Sequence, residues 1–290
     1  MGIQTATTGN IENIQNIIIA AMRYTAEAEA PCWNLCTSFT LGQGEKTITS
    51  PKVGKASMSS LTDGVDMTAS QDFSITSVEL TTAEVGAKFI LTDRMVRQIT
   101  ENGWKMAGTL LGDGMARKRD TDVIALFSGL DSAFGADGQP LNLTQAMGCV
   151  ANMRKLLAPR PIAFVHGPTA LAQLAKNAAG IGTATLLPNT MSGYSEERLR
   201  NFWRMTLDGV PFLEAGNIAV IGATTSGYGA IFSKAALAVV ESKAPYTERE
   251  RDASLRGEEL IIVADYGCFE LDGSYGASCR YEIGNLATTT

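Results

Sequence analysis

Apolar residues recur with helical spacing in two stretches of the chain. Over residues 10–28 they repeat every three or four positions and Pro31 closes the segment, which predicts an amphipathic helix near the N-terminus. A second helical pattern starts after Thr92, which suits an N-cap, and runs to about Phe127. If continuous, this helix spans about 50 Å. Its glycines predict a bend or a close packing contact within it.

Two segments rich in threonine, valine and isoleucine predict extended strands on either side of a polar link. They cover residues 46–53 and 72–80, and the link covers residues 54–70. Two such strands form a ribbon roughly 25–30 Å long with few apolar side chains on either face. A two-stranded ribbon is marginal alone in water. Because the chain offers no obvious surplus core to receive it, we expect the ribbon to lie against a second subunit.

The remaining pattern alternates short helices and strands, so the chain is predicted to have an α+β fold. An extended run covers residues 85–91, and a glycine-rich turn covers residues 129–138. Helices are predicted at 143–157 and 169–176, a buried strand at 162–165 and a loop at 178–195. Further strands are predicted at 210–212, 218–221, 230–232, 258–266 and 268–271, whereas periodicity leaves 235–240 open between helix and strand.

Charge and hydropathy narrow the function classes. The net charge of −6 over 290 residues argues against a protein that holds nucleic acid by bulk charge. Charged residues make up only 19% of the chain, against roughly 25% in an average soluble domain, which indicates a surface partly covered by partners. No apolar run approaches the ~20 residues of a membrane span, and no secretory signal is visible. We therefore expect a protein made and kept in a cytoplasm, with no membrane partner.

The usual carriers of chemistry are scarce. Cys32 and Cys36 lack a second Cys or His pair, so all five cysteines are interpreted as reduced packing residues. The single histidine, His166, would need a nucleophile and a carboxylate to act as a general base, and its simpler interpretation is a turn residue bonded to backbone. Phosphate-loop and dinucleotide motifs fail on their spacing. We expect no catalytic site, metal or cofactor, although a small α/β hydrolase built around His166 remains an alternative.

Two charged segments allow a structural or a functional interpretation. Asp120 and Asp122 lack the spacing of a calcium loop, so helix capping and solvation are expected to explain them. The mixed-sign run at 246–252 is interpreted either as a solvated face or as a salt-bridged seam between subunits. The seam makes Arg249, Arg251 and Asp252 candidates for inter-subunit contact.

Several local motifs resemble the major capsid proteins of tailed bacteriophages with the HK97-type fold. LTDRMVRQ at 91–98 is similar to the entry of that family's long spine helix, and LGDGMARKRDTD at 111–122 to its end. AFVH at 163–166 resembles a peripheral-domain strand. RDASLRGEEL at 251–260, followed by ADYG at 264–267, resembles the closing strands.

The resemblance implies a domain organisation. It comprises an N-terminal arm (1–34), an extended β-ribbon loop (35–91), a peripheral domain with the spine helix (92–177 and 235–290) and an axial domain (178–234). In the family the extended loop lies over a neighbouring subunit. Lys46, Lys52 and Lys55 are therefore expected to meet acidic residues across a subunit boundary, because they stand on a ribbon without internal partners.

The resemblance also implies the function. The expected protein is a structural, non-enzymatic subunit that assembles with itself through hexamers and pentamers into an icosahedral shell. That shell encloses double-stranded DNA without binding its sequence. Scaffold, portal and decoration proteins are possible further partners, and the expected location is the virion capsid, after assembly in the host bacterial cytoplasm. The alternative within the same fold is an encapsulin-like bacterial nanocompartment shell.

Overall fold

Three β-sheets and three main helices make up the part of the chain that the computed structural model describes. It describes residues 31–54, 58, 60–64, 66, 75–94, 102–181, 203–222 and 224–284. The predicted helix at 10–28 and most of the predicted loop at 178–195 lie outside these residues. The mixture of helices and strands confirms the predicted α+β class.

One sheet has four strands, in the order β1-β10-β11-β4. Its members are β1 (Thr37–Thr40), β4 (Ala83–Thr92), β10 (Leu237–Asp252) and β11 (Gly257–Glu270). β1 runs parallel to β10, and the other pairs are antiparallel. The segment 235–240, which periodicity left open, therefore contributes to a strand. β11 is continuous where two strands were predicted, because Gly267 keeps its place in the ladder opposite Val240.

The second sheet has six strands, in the order β5-β12-β9-β6-β8-β7. Its members are β5 (Ser132–Gly135), β6 (Ile162–His166), β7 (Trp203–Leu207), β8 (Val210–Glu214), β9 (Ser226–Ser233) and β12 (Gly276–Glu282). Every residue of β6 is buried, as its unbroken apolar run predicts. Two predictions are wrong here: β5 replaces part of the glycine-rich turn, and residues 218–221 form no strand. Those residues enter a turn that the Ile221 N–H closes on Ser226, so Ile218 reaches the core from a loop.

Helices pack on the four-stranded and the six-stranded sheets. α1 (Asn102–Ala125) packs on the four-stranded sheet through Leu111 and Met115, which meet Ile262 and Tyr266 of β11. α2 (Leu143–Lys155) and α3 (Pro168–Ile181) pack on the six-stranded sheet in a second apolar cluster. The predicted long helix is thus confirmed over α1 and at residues 93–94, which are helical, and residues 95–101 lie outside the described part.

The third sheet is the predicted ribbon. β2 (Thr47–Val53) pairs antiparallel with β3 (Ile75–Thr81), with Ile48 opposite Leu80 and Lys52 opposite Thr76. On the inner face, Ile48, Val78 and Leu80 pack against a cluster that includes Leu41, Val240 and Leu271. Leu80 is fully buried. The chain thus supplies apolar surface for the base of the ribbon, where we expected a second subunit to receive it, so that expectation is wrong at the base.

Sheet pairing crosses the predicted domain boundaries. β9, from the range assigned to the axial domain, pairs with β6 and β12 from the range assigned to the peripheral domain. Both ends of the range 35–91 lie in the four-stranded sheet, as β1 and β4. The boundaries stay a prediction. None of the helices in the described residues has the length and apolarity that crossing a membrane requires.

Candidate functional site

The outer end of the ribbon exposes large apolar side chains. Val53 is 52% exposed and Ile75, directly opposite it, is 55% exposed. Met58 and Leu61, in the link between the strands, are 93% and 69% exposed. Large apolar side chains that a protein leaves exposed together in one region often mark an interaction surface. The ribbon end is therefore a candidate surface for contact with another protein chain.

The three ribbon lysines have different surroundings. Lys52 Nζ lies 2.7 Å from Asp272 Oδ1 of the same chain, and this contact raises the pKa of the lysine. Lys46 is exposed immediately before β2, and Lys55 lies outside the described residues. The premise that these lysines lack partners within the chain is thus wrong for Lys52. Their role between subunits stays a prediction.

Arg249, Arg251 and Asp252 lie at the end of the long β10–β11 hairpin. Arg249 forms an ion pair with Glu258 across the hairpin, and Arg251 binds Asp93 through two contacts of 3.0 and 3.2 Å. Asp252 Oδ1 accepts hydrogen bonds from the Ser254 hydroxyl and N–H at 2.7 and 2.8 Å, which hold the pKa of Asp252 below its usual value. Both arginine side chains remain more than half exposed. These residues organise the hairpin end within the chain, and the inter-subunit seam stays a prediction.

The end of α1 ties the start of the described residues to the four-stranded sheet and to the turn that follows β8, a role that the sequence did not reveal. The Arg119 guanidinium stacks on the Trp33 ring at 3.8 Å and pairs with Glu241 of β10. Asp120 accepts a 2.9 Å hydrogen bond from the Cys32 N–H and a 2.8 Å hydrogen bond from the Asn217 amide.

Asp120 is fully buried, so the expectation that it is solvated is wrong. Its spacing of three and seven positions from Val123 and Phe127, both buried, places it on the apolar face of the helix. A carboxylate on that face was the available signal. Asp122 instead accepts a 2.8 Å hydrogen bond from the Tyr266 hydroxyl and forms an ion pair with Lys118.

His166 has both ring nitrogens engaged by backbone. The Gly167 N–H donates to Nδ1 at 2.8 Å, so Nε2 carries the proton and donates to the Cys279 carbonyl at 3.2 Å. Complete burial lowers the pKa of His166 to about 4. The backbone bonding predicted for His166 is confirmed, but the residue is the last one of strand β6 and does not lie in a turn. The hydrolase alternative loses the base on which it depended.

The cysteines are free thiols, as predicted, with Cys149 and Cys279 only 3.9 Å apart at sulfur in the core under α2. Burial raises the pKa of Cys36 and of Cys268 to about 12, so both are held as thiols. Across the described ranges, no group of three or more His, Cys, Asp and Glu side chains is arranged to hold a metal ion.

Known structures share this fold over almost the whole chain. One from Mycobacterium phage Che8 superposes with a TM-score of 0.71 at 14% identity, over 89% of this chain and 93% of that chain. The acid-stable capsid structure of Helicobacter pylori bacteriophage KHP30 gives 0.72 at 10% identity, over 97% and 100%. The SrpI encapsulin of Synechococcus elongatus PCC 7942 gives 0.64 at 10% identity, over the full length of both chains. The predicted HK97-like fold is thereby confirmed.

Sequence comparison adds the family. No curated protein matches the chain by sequence. The family model described as phage capsid protein matches residues 75–276. This range runs from the first residue of β3 to the first residue of β12. Because this match covers well over half of the chain, the protein belongs to the phage capsid protein family, as a structural major capsid protein.

Proposed function

We propose that this protein assembles with itself through hexamers and pentamers into an icosahedral shell. The observation that carries the proposal is the exposed apolar end of the ribbon at Val53, Met58, Leu61 and Ile75. A single subunit gains nothing from holding these side chains in water, whereas a neighbour that covers them gains from their burial. A shell repeats each such contact many times, so each one can be modest in strength.

The proposed content of the shell is double-stranded DNA, enclosed without sequence-specific binding. The net charge of −6 supports enclosure over binding, since a strongly basic protein would hold the phosphate backbone. Scaffold, portal and decoration proteins belong to this proposal as further partners. So do assembly in the bacterial cytoplasm and the absence of enzymatic activity.

The domain organisation also stays part of the proposal. We assign the four-stranded sheet and α1 to the peripheral domain, which moves β1 and β4 out of the range 35–91 that was given to the extended loop. The ribbon remains the extended loop. The pairing of β9 with β6 and β12 supports placing the whole six-stranded sheet in the axial domain. That placement moves residues 132–166 and 276–282 out of the range first assigned to the peripheral domain.

Electron microscopy of the purified recombinant protein, with size-exclusion chromatography beside it, tests the proposal directly. Closed shells or capsomer-sized rings are expected. A protein that stays monomeric at high concentration, with crowding agents and with its co-expressed neighbouring gene products, would contradict it.

The second candidate is an encapsulin-like shell, which the full-length superposition on SrpI encapsulin favours. The two functions differ in content and not in fold. Particles purified from the native source and treated with nuclease are expected to retain protected DNA if this is a phage capsid. Particles that contain a protein cargo and no protected DNA would support the encapsulin function instead.

A further inference from the structure

The ribbon touches its own chain at two places along one face. Near its base, Ile48 and Leu80 lie opposite each other and pack into the cluster with Leu41 and Val240. Lys52 lies four residues beyond Ile48 on the same face, which is about 13 Å further along the strand. There it meets Asp272 at 2.7 Å.

Asp272 lies in a turn whose buried Gly273 is flanked by Glu270 and, from the segment before β5, by Asp131. We name Asp131, Glu270 and Asp272 around Gly273 the carboxylate seat. Gly273 is buried, and a methyl group on it would clash with Glu270 Oε1 and lie 2.9 Å from Asp131 Oδ1. A side chain at this position would push both carboxylates away from their present places. Burial raises the pKa of Glu270, and the neighbouring carboxylates of Asp131 and Asp272 raise it further.

The ion pair is asymmetric in its exposure. The Asp272 side chain is only 10% exposed, whereas the Lys52 side chain is 50% exposed. Asp272 is also held by Ser274, whose N–H donates to its Oδ1 at 3.1 Å. The turn itself therefore holds the Asp272 carboxylate in place, whereas the more exposed Lys52 side chain is the more mobile partner.

We propose that the carboxylate seat positions the ribbon: Asp272 binds Lys52 of the same chain and so sets the direction in which the subunit presents its ribbon. A hydrophobic attachment at the base alone leaves a pivot. A second attachment farther out removes that freedom even if it is weak, because it acts at a distance from the pivot. A half-exposed ion pair adds little to stability, so its effect is directional. Lys52 is a positioning residue in the free subunit, before any neighbour binds.

Ribbon direction can be measured in the free subunit with spin labels at Thr49, on the exposed face of β2, and Ala133, exposed on β5. The labels are introduced as cysteines with Cys268→Ser, since Cys268 is the least buried native thiol. We expect one narrow distance distribution in the parent. Lys52→Gln is expected to lose the single maximum, and Lys46→Gln, which removes an exposed ribbon lysine elsewhere, is the matched control. An unchanged distribution in Lys52→Gln overturns the proposal.

The second experiment asks whether Lys52 and Asp272 meet within one chain or between two. A zero-length carbodiimide joins an amine and a carboxylate that touch, and mass spectrometry identifies the joined peptides. Subunits of natural isotope content and ¹⁵N-labelled subunits are treated free, and again after they are mixed and assembled. We expect Lys52–Asp272 links in the free subunit and only same-label links in the assembled mixture.

Mixed-label links in the assembled particles, with none in the free subunit, would mean that a neighbour supplies the partner and would overturn the proposal. Absence of the link in both samples would also overturn it. The measurements on the free subunit do not depend on shell formation. A protein that never assembles therefore contradicts the proposed function and leaves this inference to be decided by its own data.

Discussion

The guanidinium carbon of Arg119 lies over the indole ring of Trp33, 3.8 Å from the ring centroid. Trp33 belongs to a short 3₁₀ turn, Trp33–Leu35, at the start of the described chain, and Arg119 lies near the end of α1. A second ring, Tyr266 of β11, stands 5.5 Å from the same cation, and Glu241 of β10 pairs with it. One side chain thus holds the 3₁₀ turn at Trp33–Leu35, the helix and the four-stranded sheet together.

Replacing this arginine should therefore destabilise the subunit. Arg119→Ala removes the stacking and leaves Glu241 without its partner, and we expect a loss of about 2 kcal/mol in the free energy of unfolding. Arg119→Lys keeps a cation but not the planar stack, so its loss should be smaller. Urea denaturation of the two variants measures the difference. Equal stability of Arg119→Ala and the parent would contradict this role.

The hydrogen bond between buried Asp120 and Asn217 can be tested by swapping their acid and amide side chains. In Asp120→Asn, an amide N–H₂ group faces the Asn217 amide or the Cys32 N–H, and two donors then oppose each other. We expect a loss of about 2 kcal/mol, the usual cost of an unsatisfied buried donor. Adding Asn217→Asp to this variant restores a donor and an acceptor, so the double variant should recover part of the loss. If the double variant lost as much free energy of unfolding as the two single variants together, the result would argue against the pairing of residues 120 and 217.

His166 predicts a loss of stability in mild acid. Its pKa is about 4 in the folded protein, against about 6.5 when unfolded, so the unfolded state binds the proton first as the pH falls. The stabilisation is complete above pH 6.5 and is lost progressively toward pH 4, by up to about 3 kcal/mol. Denaturation at several pH values should show a steeper decline for the parent than for His166→Gln. Parallel curves in this window would contradict the buried neutral histidine.

The two faces of the ribbon should respond differently to substitution. Val53→Ser with Ile75→Ser removes exposed apolar surface, so the stability of the free subunit should change by less than about 0.5 kcal/mol while assembly is impaired. Leu80→Ala, on the inner face, empties a fully buried site and should cost about 2–5 kcal/mol. Calorimetry of free subunits and light scattering during assembly give the two readouts. Unimpaired assembly of the outer-face variant would remove the ribbon end from the proposed interface.

The local pattern of apolar and polar residues predicted those helices and strands whose conformation depends mainly on their own sequence. The buried strand β6, the two helices that follow 143 and 168, and both ribbon strands are of this kind, because apolar runs and helical periods are local. β5 and β12 were missed since Gly135 and Gly276 weaken a strand pattern, and pairing with a distant partner decides their conformation.

Contacts between residues far apart in the sequence could not be predicted from the local pattern. Lys52 and Asp272 are separated by 220 positions, and the local sequence around either residue does not predict their contact. Asp120 could have been found, because it lies on the apolar face of its own helix. The resemblance to phage capsid proteins predicted the fold correctly, but it did not predict which side chains meet within that fold.

The way the ribbon continues into the sheet has a mechanical consequence. β3 leads through Thr82 directly into β4, and β4 lies antiparallel to β11 along its whole ten-residue length. Tension that reaches the ribbon along the axis of β4 therefore loads these backbone hydrogen bonds together, in shear, whereas a sideways pull would open them one at a time. A subunit built this way resists stretching in one direction far better than peeling in another, so its stiffness depends on the angle of the load.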